Sequence, residues 1–166
     1  LISALARASG AAGMVGGQVL DLAATGTLPR GEDPDRRDGS DEAALREMHE
    51  RKTGALLMSA LVVGGLGAGA TDDVVEALRR YGGSIGLAFQ IADDLLDVEG
   101  DEKEVGKKTG KDAAAGKSTF VSLLGPQRAH EQAEVLADQA ASHLEIFGEK
   151  SKLLQELAHY VVNRRA

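Results

Sequence analysis

Apolar residues recur at three- and four-residue spacing along almost the whole chain, which is the period of an amphipathic α-helix. No run of Val, Ile or Thr alternates with polar residues as a half-buried strand would. The core must be built from small and aliphatic side chains, because the 166 residues include only three Phe, two Tyr and no Trp. The sequence therefore predicts a single all-α domain over residues 1–166, with consecutive antiparallel helices packed as a bundle.

Capping residues and glycines set the expected helix boundaries, because Ser, Thr and Asp favour helix N-termini whereas Gly and Pro mark helix ends. Helices are predicted over 1–25, 40–70, 71–100, 118–124, 126–147 and 151–164. Ser40, Thr71 and Ser151 are the predicted N-caps. Two segments with few apolar residues, about 27–40 and about 100–117, are predicted as loops, the first of them exposed.

Composition excludes several classes of function. The chain has no cysteine, so disulfides, cysteine zinc sites and a thiol nucleophile are excluded. A net charge of −7 argues against non-specific binding of nucleic acid. No apolar run has the length of a membrane span, and no secretory signal is visible, so we expect a cytoplasmic protein.

The stretch GKDAAAGKST, residues 110–119, has the glycines and the lysine of a nucleotide-binding P-loop. A P-loop has four residues between its first glycine and its Gly-Lys pair, whereas five lie between Gly110 and Gly116. The preceding residues are polar and charged, where a P-loop follows a buried strand. Spacing and context therefore argue against an NTPase.

Three aspartates crowd the C-terminal end of the helix predicted over 71–100. Asp93 and Asp97 are four residues apart and share one face, with Asp94 beside them. The helix dipole disfavours each anion there by about 0.3–1 kcal/mol. No Lys or Arg on this helix has the spacing to compensate, so folding alone does not explain the placement. A Mg²⁺ ion would explain it, since Mg²⁺ binds one or two carboxylates together with phosphate oxygens. The alternative is a solvated acidic helix end.

Lysines are frequent in the segment that follows these aspartates. A loop that returned over the helix end would place ammonium groups opposite the carboxylates, and a metal ion with lysines suits a diphosphate or triphosphate ester. The alternative is a neutralising surface loop, which we retain for Lys103 and Lys108. The lysines of this segment are Lys103, Lys107, Lys108, Lys111 and Lys117.

The stretch HERKTGAL, residues 49–56, places Lys52 and Thr53 beside a mid-helix glycine. Gly54 costs a helix about 1 kcal/mol relative to Ala, which suggests close approach by another helix or by a ligand. His49 has no second histidine at metal-ligand spacing. We interpret it as a surface or hydrogen-bonded histidine rather than a metal ligand or an acid–base group.

The first predicted helix carries three glycines, Gly13, Gly16 and Gly17, and a pair of polar residues, Gln18 and Asp21, on one face. The glycines suit helix–helix packing through small residues. They equally suit a groove for a long apolar ligand with Gln18 and Asp21 at its polar end. The residues alone leave both interpretations open.

Four strings occur in order between Gly13 and Gly125: GMVGGQVLDL, HERKTGALLMSA, FQIADDLLDVEGD and GKKTGKDAAAGKSTFVSLLG. With the C-terminal ELAHYVVNRR, they resemble the trans-isoprenyl diphosphate synthases, most closely the bacterial farnesyl diphosphate synthases. The resemblance implies an all-α fold of the isoprenoid synthase type with a central cavity, and a homodimer. It also implies Mg²⁺-dependent condensation of isopentenyl diphosphate with an allylic diphosphate, dimethylallyl or geranyl, to give farnesyl diphosphate.

The resemblance implies a role for each matching residue. Asp93 would be the principal Mg²⁺ ligand, with Asp94 and Asp97 supporting it through the metal shell. Thr53 and Gln90 would line the reaction centre, where hydroxyl and carbonyl dipoles can stabilise positive charge.

Five further residues are implied to bind substrate. Lys52 and Lys107 would contact the allylic diphosphate and complete the catalytic set with Thr53 and Gln90. Lys117 would help to hold a closed loop, and Gln18 and Asp21 would border the allylic site.

The chain also departs from the family pattern. The family has another aspartate-rich motif, followed by paired arginines, earlier in its sequence, and neither is present here. We therefore expect the C-terminal half of such an enzyme, inactive as residues 1–166 alone and with an uncovered apolar face. Two alternatives stay open: a non-catalytic helical partner subunit, and a synthase with a longer product such as geranylgeranyl diphosphate.

Overall fold

The computed structural model describes residues 1–28, 41–100 and 117–164, and these parts are helical with no β-strand. The prediction of an all-α fold is confirmed for them. The helices are α1 (Ile2–Ser9), α2 (Met14–Ala24), α3 (Glu42–His49), α4 (Ala55–Gly67), α5 (Asp72–Glu99), α6 (Phe120–Leu124), α7 (Pro126–Ser142) and α8 (Lys152–Asn163). A π-helical turn, Glu50–Gly54, joins α3 to α4, and a 3₁₀ segment, Glu145–Ser151, precedes α8. Within the described ranges, no helix combines the length and apolarity that a membrane crossing needs.

Helix α5 is the centre of the bundle, and α4, α7 and α8 all pack against it. Its buried face carries large side chains such as Tyr81 and Ile91. Helix α7 packs against this face with a stripe of small buried side chains, which lets the two helices approach closely. The stripe consists of Ala129, Ala133, Ala137 and Ala140. The Tyr81 hydroxyl is satisfied inside the core, since it donates to the Leu154 carbonyl oxygen at 2.8 Å.

Two glycines of α5 bring α4 and the π-helical turn against this central helix. A Cβ added at Gly86 would lie 3.0 Å from the Gly54 Cα, and one at Gly82 would lie 2.8 Å from the Met58 Cα. Contact at such distances requires the absence of side chains. The expectation that Gly54 marks a close approach is confirmed, and the approaching group is a helix.

The prediction of one helix over 1–25 was wrong. The chain turns between Ser9 and Met14, and α2 starts a new helix capped by Gly13. A Cβ at Gly13 would lie 1.9 Å from the Ala8 carbonyl oxygen, and one at Gly16 would lie 2.0 Å from that of Ala11. These two glycines therefore permit a tight turn, which their helix-like spacing concealed.

Several caps also differ from the prediction. Asp41 rather than Ser40 caps α3, since its side chain accepts the Ala44 N–H at 2.6 Å, and Ser40 lies outside the described residues. Thr71 and Ser151 occupy the N-cap positions of α5 and α8 without accepting a side-chain cap bond. Helix α6 begins at Phe120 rather than 118, because Thr119 and Ser122 form a capping box.

Helix α7 ends at Ser142, short of the predicted 147, and the 3₁₀ segment follows it. Gly148 interrupts that segment with a φ of 54°, a left-handed conformation that glycine tolerates. The predicted loop segments, about 27–40 and 100–117, lie almost wholly outside the described residues.

Several of the described helices expose large apolar side chains, α8 and α1 among them. On α8 these side chains follow a helical stripe with four- and three-residue spacing. The exposed set on α8 is Leu153, Leu157 and Tyr160, and near the start of the chain it is Leu1, Ile2 and Leu5.

Candidate functional site

A buried carboxylate lies between two lysines at the junction of α2 with the π-helical turn. Asp21 of α2 is 8% exposed. Its Oδ2 accepts from the Lys52 Nζ at 2.6 Å, and its Oδ1 lies 3.8 Å from the Lys117 Nζ. Both lysine side chains keep about one third of their surface accessible. Two ammonium groups are thus held together by one acidic side chain while remaining reachable by an anion.

The approach of α2 to the π-helical turn depends on Gly17. A Cβ added there would lie 2.2 Å from the Lys52 backbone nitrogen and 2.5 Å from its Cα. Asp21 is one helical turn further along the same face. The packing interpretation of Gly17 is therefore confirmed, and the packing sets where Lys52 meets Asp21.

A second polar group spans from the π-helical turn to α5. The Gln90 Oε1 accepts from the His49 Nδ1 at 2.7 Å and from the Thr53 Oγ1 at 3.2 Å. The His49 ring also stacks on Phe120, with centroids 5.6 Å apart. His49 is therefore a hydrogen-bonded histidine, as interpreted from the sequence.

Burial lowers the pKa of His49 from 6.5 to about 4, and the hydrogen bond to Gln90 only partly opposes this effect. The charges of Lys52, Asp21 and Lys117 also act on this pKa, so the carboxylate–lysine group and the His49 group belong to one electrostatic site. His49 is neutral near pH 7. Because a carbonyl oxygen can only accept, the neutral ring carries its proton on Nδ1.

We expect the stability of the intact protein to fall as the pH drops from about 6.5 to about 4. In this window the unfolded state takes up a proton at His49 that the folded state refuses, so the free energy of unfolding rises with pH. The loss is about 3 kcal/mol at 1.36 kcal/mol per pKa unit. Chemical denaturation at several pH values measures it. The variant His49→Asn should show a flatter profile, and equal slopes for the two proteins would contradict the assignment.

The three aspartates of α5 have different surroundings. Asp94 is 7% exposed, and its Oδ2 accepts the Phe120 N–H at 2.8 Å. This satisfies a backbone donor at the first turn of α6. Asp97 is also 7% exposed, while Asp93 is partly exposed and its Oδ1 lies 3.7 Å from the Arg164 Nη2. The Arg164 guanidinium in turn lies 4.4 Å from the centroid of the Phe89 ring.

These contacts correct the claim that folding alone does not explain the aspartates. Asp94 has a structural partner in the α6 backbone, and Asp93 has a nearby cation at the end of α8. Neither partner lies on α5, so helix spacing could not reveal it. In the described parts of the chain, no three acidic or histidine side chains are grouped to hold a metal ion.

The structure gives fewer contacts for the other predicted site residues, and it does not describe all of them. Gln18 lies on α2 with an exposed side chain. Lys107 and the remaining loop lysines, Lys103, Lys108 and Lys111, lie outside the described residues. Lys117 is described, and it lies beside Asp21.

Sequence reasoning missed the contributions of Phe120 and Arg164 and the pairing of His49 with Gln90. The four-residue spacing of His49 and Thr53 was the available signal for the last of these, because it places both on one helix face. Phe120 and Arg164 join the site through tertiary packing, for which the sequence carried no local signal.

Comparisons with known proteins point to one family. The family model described as polyprenyl synthetase matches residues 3–157. The chain is 43% identical to farnesyl diphosphate synthase of Escherichia coli over 169 residues, covering 99% of this chain and 52% of that protein. It is 42% identical to geranylgeranyl pyrophosphate synthase 11 of Arabidopsis thaliana, covering 96% of this chain and 43% of that protein. The chain thus spans about half the length of the curated relatives it matches.

Solved structures agree with this assignment. An FPP/GFPP synthase from Zymomonas mobilis aligns with a TM-score of 0.76 at 41% identity, over 97% of this chain and 49% of that one. A geranyltransferase from Helicobacter pylori, complexed with magnesium and isoprenyl diphosphate, aligns with a TM-score of 0.74 at 32% identity, over 98% of this chain and 50% of that one. Sequence and fold therefore agree that this chain belongs to the polyprenyl synthetase family.

Proposed function

We propose that the protein containing this chain is a trans-prenyltransferase that condenses isopentenyl diphosphate with an allylic diphosphate, with farnesyl diphosphate as product. The observation that carries the proposal is the pair of lysines, Lys52 and Lys117, held around the buried Asp21 carboxylate. Such a pair suits a ligand with several anionic oxygens. The charges of Lys52, Asp21 and Lys117 also act on His49, which forms the second polar group with Thr53 and Gln90.

In this reaction the carbon–oxygen bond of the allylic diphosphate breaks, and its electron pair leaves with the diphosphate. The double bond of isopentenyl diphosphate attacks the resulting cationic carbon. The condensed cation would then lose a proton to the departed diphosphate, which is the base that the reaction itself supplies. Lys52, Lys117 and the predicted Lys107 would neutralise the departing diphosphate, while Asp21 orients the first two. Thr53 would face the developing positive charge, and the packed helices would exclude water from it.

A magnesium ion fits the aspartates of α5 only if oxygen atoms of the substrate complete its coordination shell. Asp93 and Asp97 are four residues apart on one face of α5, so these two carboxylates would hold the metal together. Two carboxylates are what Mg²⁺ commonly takes when diphosphate oxygens and water complete its shell. When bound there, the ion would neutralise charge on the leaving diphosphate. Asp94 would then act through the position of α6 rather than as a direct ligand.

We expect Asp93→Asn to lower kcat/KM for prenyl transfer by about 100-fold, because electrostatic stabilisation of the leaving group weakens. The assay uses the intact protein with Mg²⁺, isopentenyl diphosphate and geranyl diphosphate, and product chains are resolved by chromatography. The matched control is Asp138→Asn on α7, whose exposed carboxylate lies on another helix. A Mg²⁺ dependence in Asp93→Asn equal to that of the wild type would remove the metal assignment.

The same assay tests two alternatives to this proposal, a longer product and a non-catalytic subunit. Relatives of nearly equal identity carry farnesyl and geranylgeranyl names, so a longer product is the second candidate, and chromatography of the products separates the two. A non-catalytic partner subunit would bind diphosphate without turnover. The exposed apolar stripes on α1 and α8 support association, and we propose a homodimer.

A further inference from the structure

Both lone pairs of one carbonyl oxygen are used by two donors at the site. The Gln90 Oε1 accepts from the His49 Nδ1 and from the Thr53 Oγ1. A carbonyl oxygen has two lone pairs, so this oxygen has little capacity left for a ligand. The Thr53 hydroxyl, in contrast, commits its single proton to Gln90. Among the contacts of the described residues, no donor is directed at the Thr53 oxygen, so its two lone pairs can face positive charge.

We propose that His49 is a positioning residue, which acts through Gln90 to direct the Thr53 hydroxyl oxygen toward the developing allylic cation. The inference rests on the proposed prenyl transfer and deepens it. It moves the electrostatic role from the Gln90 carbonyl to the Thr53 oxygen. Gln90 becomes the group that orients Thr53, and His49 becomes the group that orients Gln90.

The need for His49 follows from the shape of a glutamine amide. Its oxygen and nitrogen ends are nearly equal in size, so the amide can rotate by half a turn within the same space. After rotation, the amide nitrogen would donate to Thr53, and the Thr53 proton would turn toward the cation. In the Nδ1–H tautomer, His49 on the other side of Gln90 disfavours this rotation, because its N–H pairs with oxygen and repels an N–H group.

The surroundings of His49 hold its ring in place and keep it neutral. Stacking on Phe120, with the ring planes 29° apart, holds the imidazole and therefore the direction of its N–H. Phe120 is itself held, because its backbone N–H donates to Asp94. Burial keeps the pKa of His49 at about 4, so the ring adds no positive charge beside a cationic intermediate near pH 7.

The test compares two replacements of His49 in the intact protein. His49→Phe keeps a ring against Phe120 but removes the donor, whereas His49→Asn keeps an amide donor near the position of Nδ1. We expect kcat about tenfold below the wild type for His49→Phe and within about threefold for His49→Asn, as for one buried hydrogen bond. KM for both diphosphates should stay within about twofold, since the lysines are untouched. Thermal melting confirms that both variants fold.

A double-mutant cycle with Thr53→Val separates positioning from packing, because valine keeps the shape of threonine without its hydroxyl. If His49 acts through that hydroxyl, His49→Phe lowers kcat no further in the Thr53→Val background. An equal loss in both backgrounds, a loss in His49→Asn as large as in His49→Phe, or wild-type kcat in His49→Phe would overturn the inference while the proposed function stands. A wild-type protein without prenyl transfer would overturn both.

Discussion

Replacing Gly17 by alanine is expected to destabilise the intact protein by about 3 kcal/mol, which is large for a single added methyl group. The new Cβ would lie 2.2 Å from the Lys52 backbone nitrogen, 2.5 Å from its Cα and 2.7 Å from its Cβ. These are mostly backbone atoms, so no rotamer change can relieve the clash. Helix α2 and the π-helical turn must separate, and Asp21 must then lose its contact with Lys52.

Chemical denaturation measures the stability change, and a titration with inorganic diphosphate measures the loss of the lysine site. The matched control is Gly64→Ala in α4, where nothing lies within 4 Å of the added Cβ. That variant should gain up to about 1 kcal/mol from its better helix propensity. If Gly17→Ala were as stable as the control, the close packing of α2 on Lys52 would be wrong.

Replacing Lys52 by methionine is expected to lower diphosphate affinity by about 100-fold and prenyl transfer by at least as much. One charge-assisted hydrogen bond to phosphate, of about 1.5–3 kcal/mol, is lost. The Asp21 carboxylate also loses the ammonium group that lies 2.6 Å away. Among the contacts described, the cation that then remains beside Asp21 is Lys117, at 3.8 Å. Repulsion of the diphosphate by Asp21 adds to the loss.

The affinity is measured as the rise in melting temperature with Mg²⁺ and inorganic diphosphate. Arg51→Met is the matched control, because Arg51 is the adjacent residue and pairs with Glu47 at 2.7 Å on the helix surface. It removes one positive charge at nearly the same place in the sequence. A melting shift in Lys52→Met as large as in Arg51→Met would mean that Lys52 does not bind the diphosphate.

The sequence predicted the class of the fold and much of the membership of the site. Helical periodicity with few aromatic residues left packed helices as the consistent solution, and α5 is observed close to its predicted span. Residue type and spacing indicate Lys52, Thr53 and Asp21, and the family resemblance adds Gln90. The structure brings these four residues to one region. Their roles in catalysis stay predictions.

The errors share one cause. Gly13 and Gly16 were assigned to a continuous helix, although they permit a turn that is visible only when the approaching carbonyl oxygens are known. Helix spacing predicts no compensating cation for Asp93 and Asp94, because it considers only partners on α5. Those partners, Arg164 and the Phe120 N–H, are distant in sequence.

By itself, the order of residues determined which faces are apolar and which functional groups the chain can offer, and it placed the N-caps of α5 and α8. Only the tertiary structure decided that the Asp21 carboxylate meets two lysines, that the Gln90 oxygen is shared by His49 and Thr53, and that Asp94 serves the start of α6. The physical reason is the separation along the sequence over which each feature is set. Periodicity and capping are local properties of a few successive residues, whereas a side chain's partner depends on helix crossings set by the whole core.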